Sequence, residues 1–169
     1  MSDGDTRRIA LSQGFEAIVD AEDFEWLNQW KWTLMDKRNG LLYAYRLENG
    51  HSIRLHRFIM GAPSGTEIDH IDHDGLNNQR SNLRLCTHQQ NMWHNARGPW
   101  GRSGYWGVYF ESLTGKWSAQ IGANYHVIHI GRFDNPVDAA RAYDAAARKY
   151  HGEYAKQNFP EEAPACQAQ

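Results

Sequence analysis

Two stretches rich in glycine, proline and serine, GAPSG at 61–65 and ARGPWGRSG at 96–104, cut this chain into blocks too short for any of them to bury a large core. Such composition belongs to turns and linkers. The expected organisation is therefore modular: a first block over 8–60, a short middle block over 61–97 and a last block over 98–160. The expected fold class is α+β.

Charge narrows the partners. A formal net charge of -2 argues against a basic coat over the whole surface, so any nucleic-acid contact has to come from local patches. Residues 98–160 carry seven Lys/Arg against five Asp/Glu, whereas residues 1–54 carry seven against nine. Cys86 and Cys166 are far apart and neither sits in a CxxC pair, which excludes a disulfide framework and a cysteine-rich zinc knuckle and fits a reducing compartment. No apolar run approaches the roughly 20 residues of a membrane span, and MSDGDTRR is too polar for a secretory signal. The expectation is a cytoplasmic, phage- or bacterium-encoded protein with no membrane partner. Both termini, MSDGDT and EEAPACQAQ, have the composition of disordered ends.

The first block alternates strand-like runs at 8–11, 15–19, 31–34, 41–47 and 52–55 around one short helix at 21–28, with Asp20 as its N-cap. This pattern predicts a small mixed sheet. Trp26, Trp30 and Trp32 read as core aromatics rather than base-stacking platforms. Arg54, His56 and Arg57 lead into an apolar FIM that predicts a short helix, and they read as phosphate contacts or a solvated face rather than catalysts.

The last block contains three strand-like runs, YWGVYF, KWSAQIGA and HVIHIGRF, followed by the helical DNPVDAARAYDAAARKYHG. Asn135 supplies an N-cap, Pro136 the first helical position, Asp138 a charge in the first turn and Gly152 the stop. The alanine-rich side of that helix lets a sheet approach closely. A three-stranded sheet with one helix across its back leaves the other face free as a binding surface.

The middle block concentrates chemistry. Glu67 to Asn95 holds four histidines, three aspartates and five asparagines and no lysine. Its order is strand (67–70), loop (HDGLNN), strand (82–87) and helix (88–95). If the strands pair antiparallel and the helix crosses them, Asp69 at the end of the first strand lies beside Asn91. Their oxygens suit one hard divalent cation, Mg²⁺ or Mn²⁺. His70 points to the other side of the pleat and is available as a general base, with an ordinary pKa of about 6.5. Asn82 is expected to brace the loop and keep His70 in line.

The run DHIDHDGLNNQRSNLRLCTHQQN resembles the signature of the HNH endonucleases, in particular the phage-type homing enzymes. The resemblance implies a central ββα-metal nuclease motif in which His70 is the general base, Asp69 and Asn91 ligate a single catalytic metal and Asn82 completes the catalytic set. It implies double-stranded DNA as substrate and a nick from one active site per chain, made by a monomer or by a dimer assembled on DNA. Where related loops carry Gly-Asn, this chain has His73-Asp74, an added imidazole able to trap Zn²⁺. Residues 103–160 resemble an AP2 DNA-binding domain through Gly-Val, Gly-Lys-Trp, Gly-x-Phe and Ala-Ala-x-Ala-Tyr-Asp elements. The first block is similar to segments joined to such modules.

The DNA-facing residues expected from this organisation are Arg54, Arg57, Arg102, Trp106, Tyr109, Lys116, Gln120 and His129. Exposed positions of the AP2-like sheet, Trp106, Tyr109, Glu111, Gly122, Val127 and His129, lack the arginines that read guanine in the major groove. That sheet is expected to contribute affinity and position more than base choice. His94, on the helix face of Asn91, is either an assistant to metal or phosphate or a surface histidine; Arg80 and Arg84 are either phosphate clamps or solvated charges. His73 and His88 read as bystanders. A zinc site would need three or four converging imidazoles or thiolates, and oxygen donors hold the key positions instead. The rival of a different class is a sequence-specific DNA-binding regulator whose nuclease motif is an inactive scaffold.

Overall fold

Alternation along the first twenty residues places Ile9, Ala17 and Val19 on one face, and that face is what the opening hairpin buries. In the computed structural model, which describes residues 5–36, 40–95 and 102–162, β1 (Thr6–Ala10) pairs antiparallel with β2 (Glu16–Asp20) in the register Thr6↔Asp20 to Ala10↔Glu16. Most of the second seam and the outermost part of each terminus lie outside the described residues. The chain divides into two compact units, Met1–Asn91 and Met92–Gln169.

In the first unit the hairpin leads into α1 (Ala21–Leu27) and then a second antiparallel sheet of β3 (Thr33–Asp36), β4 (Leu42–Glu48) and β5 (His51–Arg54), in the order β3-β4-β5. The single mixed sheet expected here is thus two small sheets whose strand pairings are all antiparallel. Helix α2 (Leu55–Met60) follows and stops at Gly61, which is left-handed. β6 (Glu67–His70) and β7 (Leu83–Cys86) form a third antiparallel pair, and α3 (His88–His94) comes next.

One hydrophobic core, including Ile9, Val19, Leu27, Trp32, Leu55, Ile59 and Leu83, draws on residues from both sides of the GAPSG seam. The seam at 61–65 is a turn inside a unit rather than a boundary between two cores. Asp20 does not cap α1 through its side chain. Its carboxylate accepts from the backbone N–H of Arg80 at 2.8 Å and from Gln79 Nε2 at 3.3 Å, across some sixty residues of sequence. Asp23 holds the Arg80 guanidinium with two bonds of 2.8 Å. Of the tryptophans, Trp32 is fully buried, whereas Trp30 is partly exposed under the stacked guanidinium of Arg46.

The second unit is a sheet in the order β10-β9-β8, from β8 (Val108–Glu111), β9 (Lys116–Ala123) and β10 (His126–Phe133), with α4 (Pro136–His151) packed on it. Val108, Ala119 and Ile121 face the helix, where Ala139, Ala140 and Ala147 give a low surface. Asn135 caps α4 by accepting from the Asp138 N–H at 2.9 Å. Gly107 has φ +67, and a Cβ there would meet the Tyr143 ring at 2.1 Å, so only glycine fits between sheet and helix. No helix among the described residues is long and apolar enough to cross a membrane.

Candidate active site

Pleating sorts β6 into two sides: Glu67 and Asp69 on one, Ile68 and His70 on the other. Helix α3 covers the first side. Asn91 Nδ2 donates to Glu67 Oε2 at 2.5 Å, and His88 Nδ1 lies 2.7 Å from Glu67 Oε1. Because Asp69 is two residues along the same side, Glu67 brings Asn91 and Asp69 to one face of the hairpin. The bond also defines the Asn91 amide: its nitrogen turns to Glu67, so its oxygen is the opposite end. The Asn91 hydrogen bond, joined by the contact with His88, holds the Glu67 carboxyl below its usual range despite some burial.

Asp69 is buried, and its register partner on β7 is Arg84. Arg84 Nε and Nη2 both donate to Asp69 Oδ2, at 2.9 and 2.8 Å. The guanidinium is therefore not the solvated charge considered from sequence; it fixes a carboxylate. Arg80 is 43% exposed but is tied to the buried carboxylate of Asp23. An oxygen-rich pair of Asp69 and Asn91, each oriented by a second residue, is a donor set that fits a hard divalent cation.

On the other side His70 is almost sealed, packed edge-to-face with His56 at 5.0 Å between ring centroids and tilted against Tyr43 at 5.9 Å. His56, expected on a solvated face or at a phosphate, is 4% exposed. Burial pushes the His70 pKa below its ordinary value, opposed by the nearby Asn78 side chain and the charges of Asp72, Asp69 and Asp74, which favours the neutral ring. Asn82 spans the intervening loop. Its Oδ1 accepts from the Asp72 N–H at 3.0 Å, and its Nδ2 donates to Asp72 Oδ1 at 2.8 Å and Asn77 O at 2.9 Å. Gly75 lets this loop press onto β4, since a Cβ would fall 2.2 Å from Leu42 O and 2.8 Å from the Tyr43 ring.

Comparison with known proteins matches residues 60–93, the segment just described, to an HNH endonuclease family model. An uncharacterized HNH endonuclease of Acanthamoeba polyphaga mimivirus is 32% identical over 156 residues, covering 89% of this chain and 78% of the viral protein. This chain belongs to the HNH endonuclease family. Members of that family generally use a divalent metal. Its C-terminal part is also similar to plant proteins: APETALA2-like protein 2 of Oryza sativa subsp. indica, 45% identical over 64 residues, and an ethylene-responsive transcription factor of Arabidopsis thaliana, 51% identical over 49. Those matches cover only 15% and 18% of the plant proteins.

In this HNH protein the remaining residues singled out from sequence fall into distinct places. Tyr109, Gln120 and His129 lie on the sheet face away from α4, with His129 Nε2 2.9 Å from Ser118 Oγ. Lys116 is on the same face and pairs with Asp134. Arg102 is exposed ahead of β8. Trp106 is not on the free face: it packs with Ile121, Tyr143 and Ala147, under Lys156 Nζ at 5.1 Å from its ring. Arg57 is also used inside the fold, donating to the carbonyls of Thr66 at 2.6 Å, Pro63 at 2.9 Å and Ala62 at 3.2 Å. Arg54 is half-buried with its guanidinium 6.0 Å from the Tyr43 ring centroid. His94 is buried rather than a surface histidine.

Sequence reasoning missed Glu67, Asn78 and Arg132, and misplaced His56. Arg132 does lie on the free face, as the register partner of Ser118, but its guanidinium Nε is bonded to Glu111 at 2.7 Å. The alternation of HVIHIGRF is broken by a bulge between His129 and Gly131, which concealed that placement. Cys86 is buried, its thiol pushed up to about 11 by burial and the charges of Asp69 and Glu67, which removes it as a nucleophile.

Proposed function

We propose that this chain is a homing-type endonuclease that hydrolyses a phosphodiester of double-stranded DNA and nicks one strand. The observation carrying this reading is the division of β6, with Asp69 on the face that Glu67 shares with Asn91 and the buried His70 on the other. Asp69 and Asn91 would hold one Mg²⁺ or Mn²⁺; when bound, that ion supplies charge neutralisation at the scissile phosphate and stabilises the leaving 3′ oxygen.

The chain's own residues do the rest. His70 takes the proton from the attacking water, a role worth roughly 10²–10⁴-fold in rate. Arg84 holds the Asp69 carboxylate in one rotamer, Glu67 holds the Asn91 amide in one orientation, and Asn82 keeps the 72–77 loop closed beneath His70. Arg102 and the free face of the β8–β10 sheet, with Tyr109, Lys116, Gln120 and His129, contact DNA and position the cut more than they choose bases.

The test is relaxation of supercoiled plasmid. Nicking is expected with Mg²⁺ or Mn²⁺ and is abolished by EDTA; Asp69→Ala and Asn91→Ala each raise the divalent-ion concentration needed. Zn²⁺ supports cleavage poorly, given the oxygen-biased donors. The similarity to plant transcription factors favours a second reading, a DNA-binding regulator with an inactive nuclease scaffold. Binding to DNA without any metal-dependent nicking selects it.

A further inference from the structure

Among the side-chain atoms in the interior of the first unit that are sealed from solvent without a hydrogen-bond partner among the described residues are Nε2 of His70 and Oδ1 of Asn78. One is a carbonyl acceptor and the other a ring nitrogen able to carry a hydrogen. Leaving both unmade costs about 1–3 kcal/mol each, so a fold that buries them needs a reason to keep them together.

Asn78 has almost no freedom. It is fully buried, its backbone N–H donates to Ile18 O at 2.7 Å, and its Nδ2 donates to Leu76 O at 2.9 Å and Gly75 O at 3.4 Å. With the amide nitrogen committed to these carbonyls, Oδ1 has to point the other way. The His70 ring is confined too, by His56 and Tyr43. The Asn78 side chain is close enough to His70 to favour the protonated ring against the effect of burial.

We propose that Asn78 is a positioning residue for His70: its Oδ1 accepts from Nε2–H, fixing the tautomer and ring flip that present the Nδ1 lone pair to the attacking water. A flipped ring would turn Cε1–H to Oδ1 instead, and the other tautomer would set a lone pair against it; both are disfavoured. The bond closes when DNA and water fill the site, as catalytic hydrogen bonds tighten in the substrate complex. The proposal rests on His70 being the general base, and it deepens that assignment by naming the reacting nitrogen and the residue that selects it.

The decisive experiment uses the whole protein and reads the tautomer directly, by ¹⁵N–¹H correlation of the His70 ring at about pH 8, well above the ordinary imidazole pKa of about 6.5. The expected result is hydrogen on Nε2 in the wild type. Asn78→Ala, checked for folding by its melting curve, is expected to mix the tautomers and lower kcat by about 10- to 100-fold with KM for DNA little changed. Asn78→Asp keeps an acceptor oxygen while losing both loop donors, so it should regain the Nε2–H tautomer and exceed Asn78→Ala in kcat; a residue that only holds the loop would leave Asp no better than Ala. Hydrogen on Nδ1 in the wild type overturns the proposal, as does a folded Asn78→Ala with unchanged tautomer and kcat. Failure of the general-base assignment looks different: His70→Ala would then cleave normally, whatever the tautomer.

Discussion

Arg84 faces Asp69 directly across the β6–β7 pair and closes two hydrogen bonds on a single carboxylate oxygen, at 2.9 and 2.8 Å. The side chains are 12% and 2% exposed, so this is a buried ion pair, in which loss of one partner strands the other. Arg84→Met is expected to lower unfolding free energy by about 3–5 kcal/mol in denaturant titration. The double variant Asp69→Leu with Arg84→Met should recover most of that stability and none of the cleavage. A double variant as unstable as the single one would contradict the pairing.

His73 is expected to tolerate replacement by the residue its backbone favours. It has φ +66, a left-handed conformation that disfavours non-glycine residues by roughly 1–2 kcal/mol, against roughly 0.5–1 kcal/mol of extra chain entropy lost by glycine. His73→Gly should therefore raise stability by up to about 1 kcal/mol and leave nicking intact. A fall in melting temperature would show that the His73 side chain contributes more than its strained backbone costs.

On the free face of the β8–β10 sheet, Glu111 neutralises Arg132. Glu111→Gln releases a guanidinium toward DNA, so affinity should rise several-fold and the slope of log K against log salt should steepen by about 1. Arg132→Ala on that background should reverse both changes. Unchanged binding in titrations over a salt series would remove this face from the interface.

Acid should weaken the second unit through His151. This residue is buried with Nε2 2.8 Å from Gly122 O and its ring stacked on Trp93; burial lowers its pKa, and the bond to Gly122 opposes that. The unfolded chain binds the proton first, so the stability is fully present above about pH 6.5 and is lost as pH falls through the folded value. His151→Gln should flatten the dependence of melting temperature on pH over that window. An equally steep dependence would assign the effect to other groups.

Local patterns made much of this legible in the sequence. The strands of 116–123 and 126–133, the cap at Asn135 and the strand–loop–strand–helix order at 67–94 all follow from alternation, turn residues and caps acting over a few positions. The opposite facing of Asp69 and His70 needs only the pleat. What escaped depends on long-range pairing. Asp20 looked like a helix cap until the fold placed Gln79 and Arg80 against it, and Arg57 and Arg84 looked free until carbonyls and a carboxylate were brought to them. Trp106 reads as an exposed aromatic at a strand start, but the turn at Gly107 carries it to the helix side.

The central claim is that His70 is the base of a metal-dependent DNA cleavage, and single-turnover nicking of plasmid by His70→Ala with saturating Mg²⁺ tests it most directly. DNA binding is expected to stay close to wild type and the cleavage rate to fall by about 10²–10⁴-fold, since only the proton transfer is lost. A folded His70→Ala protein that nicks within a few-fold of wild type would contradict it.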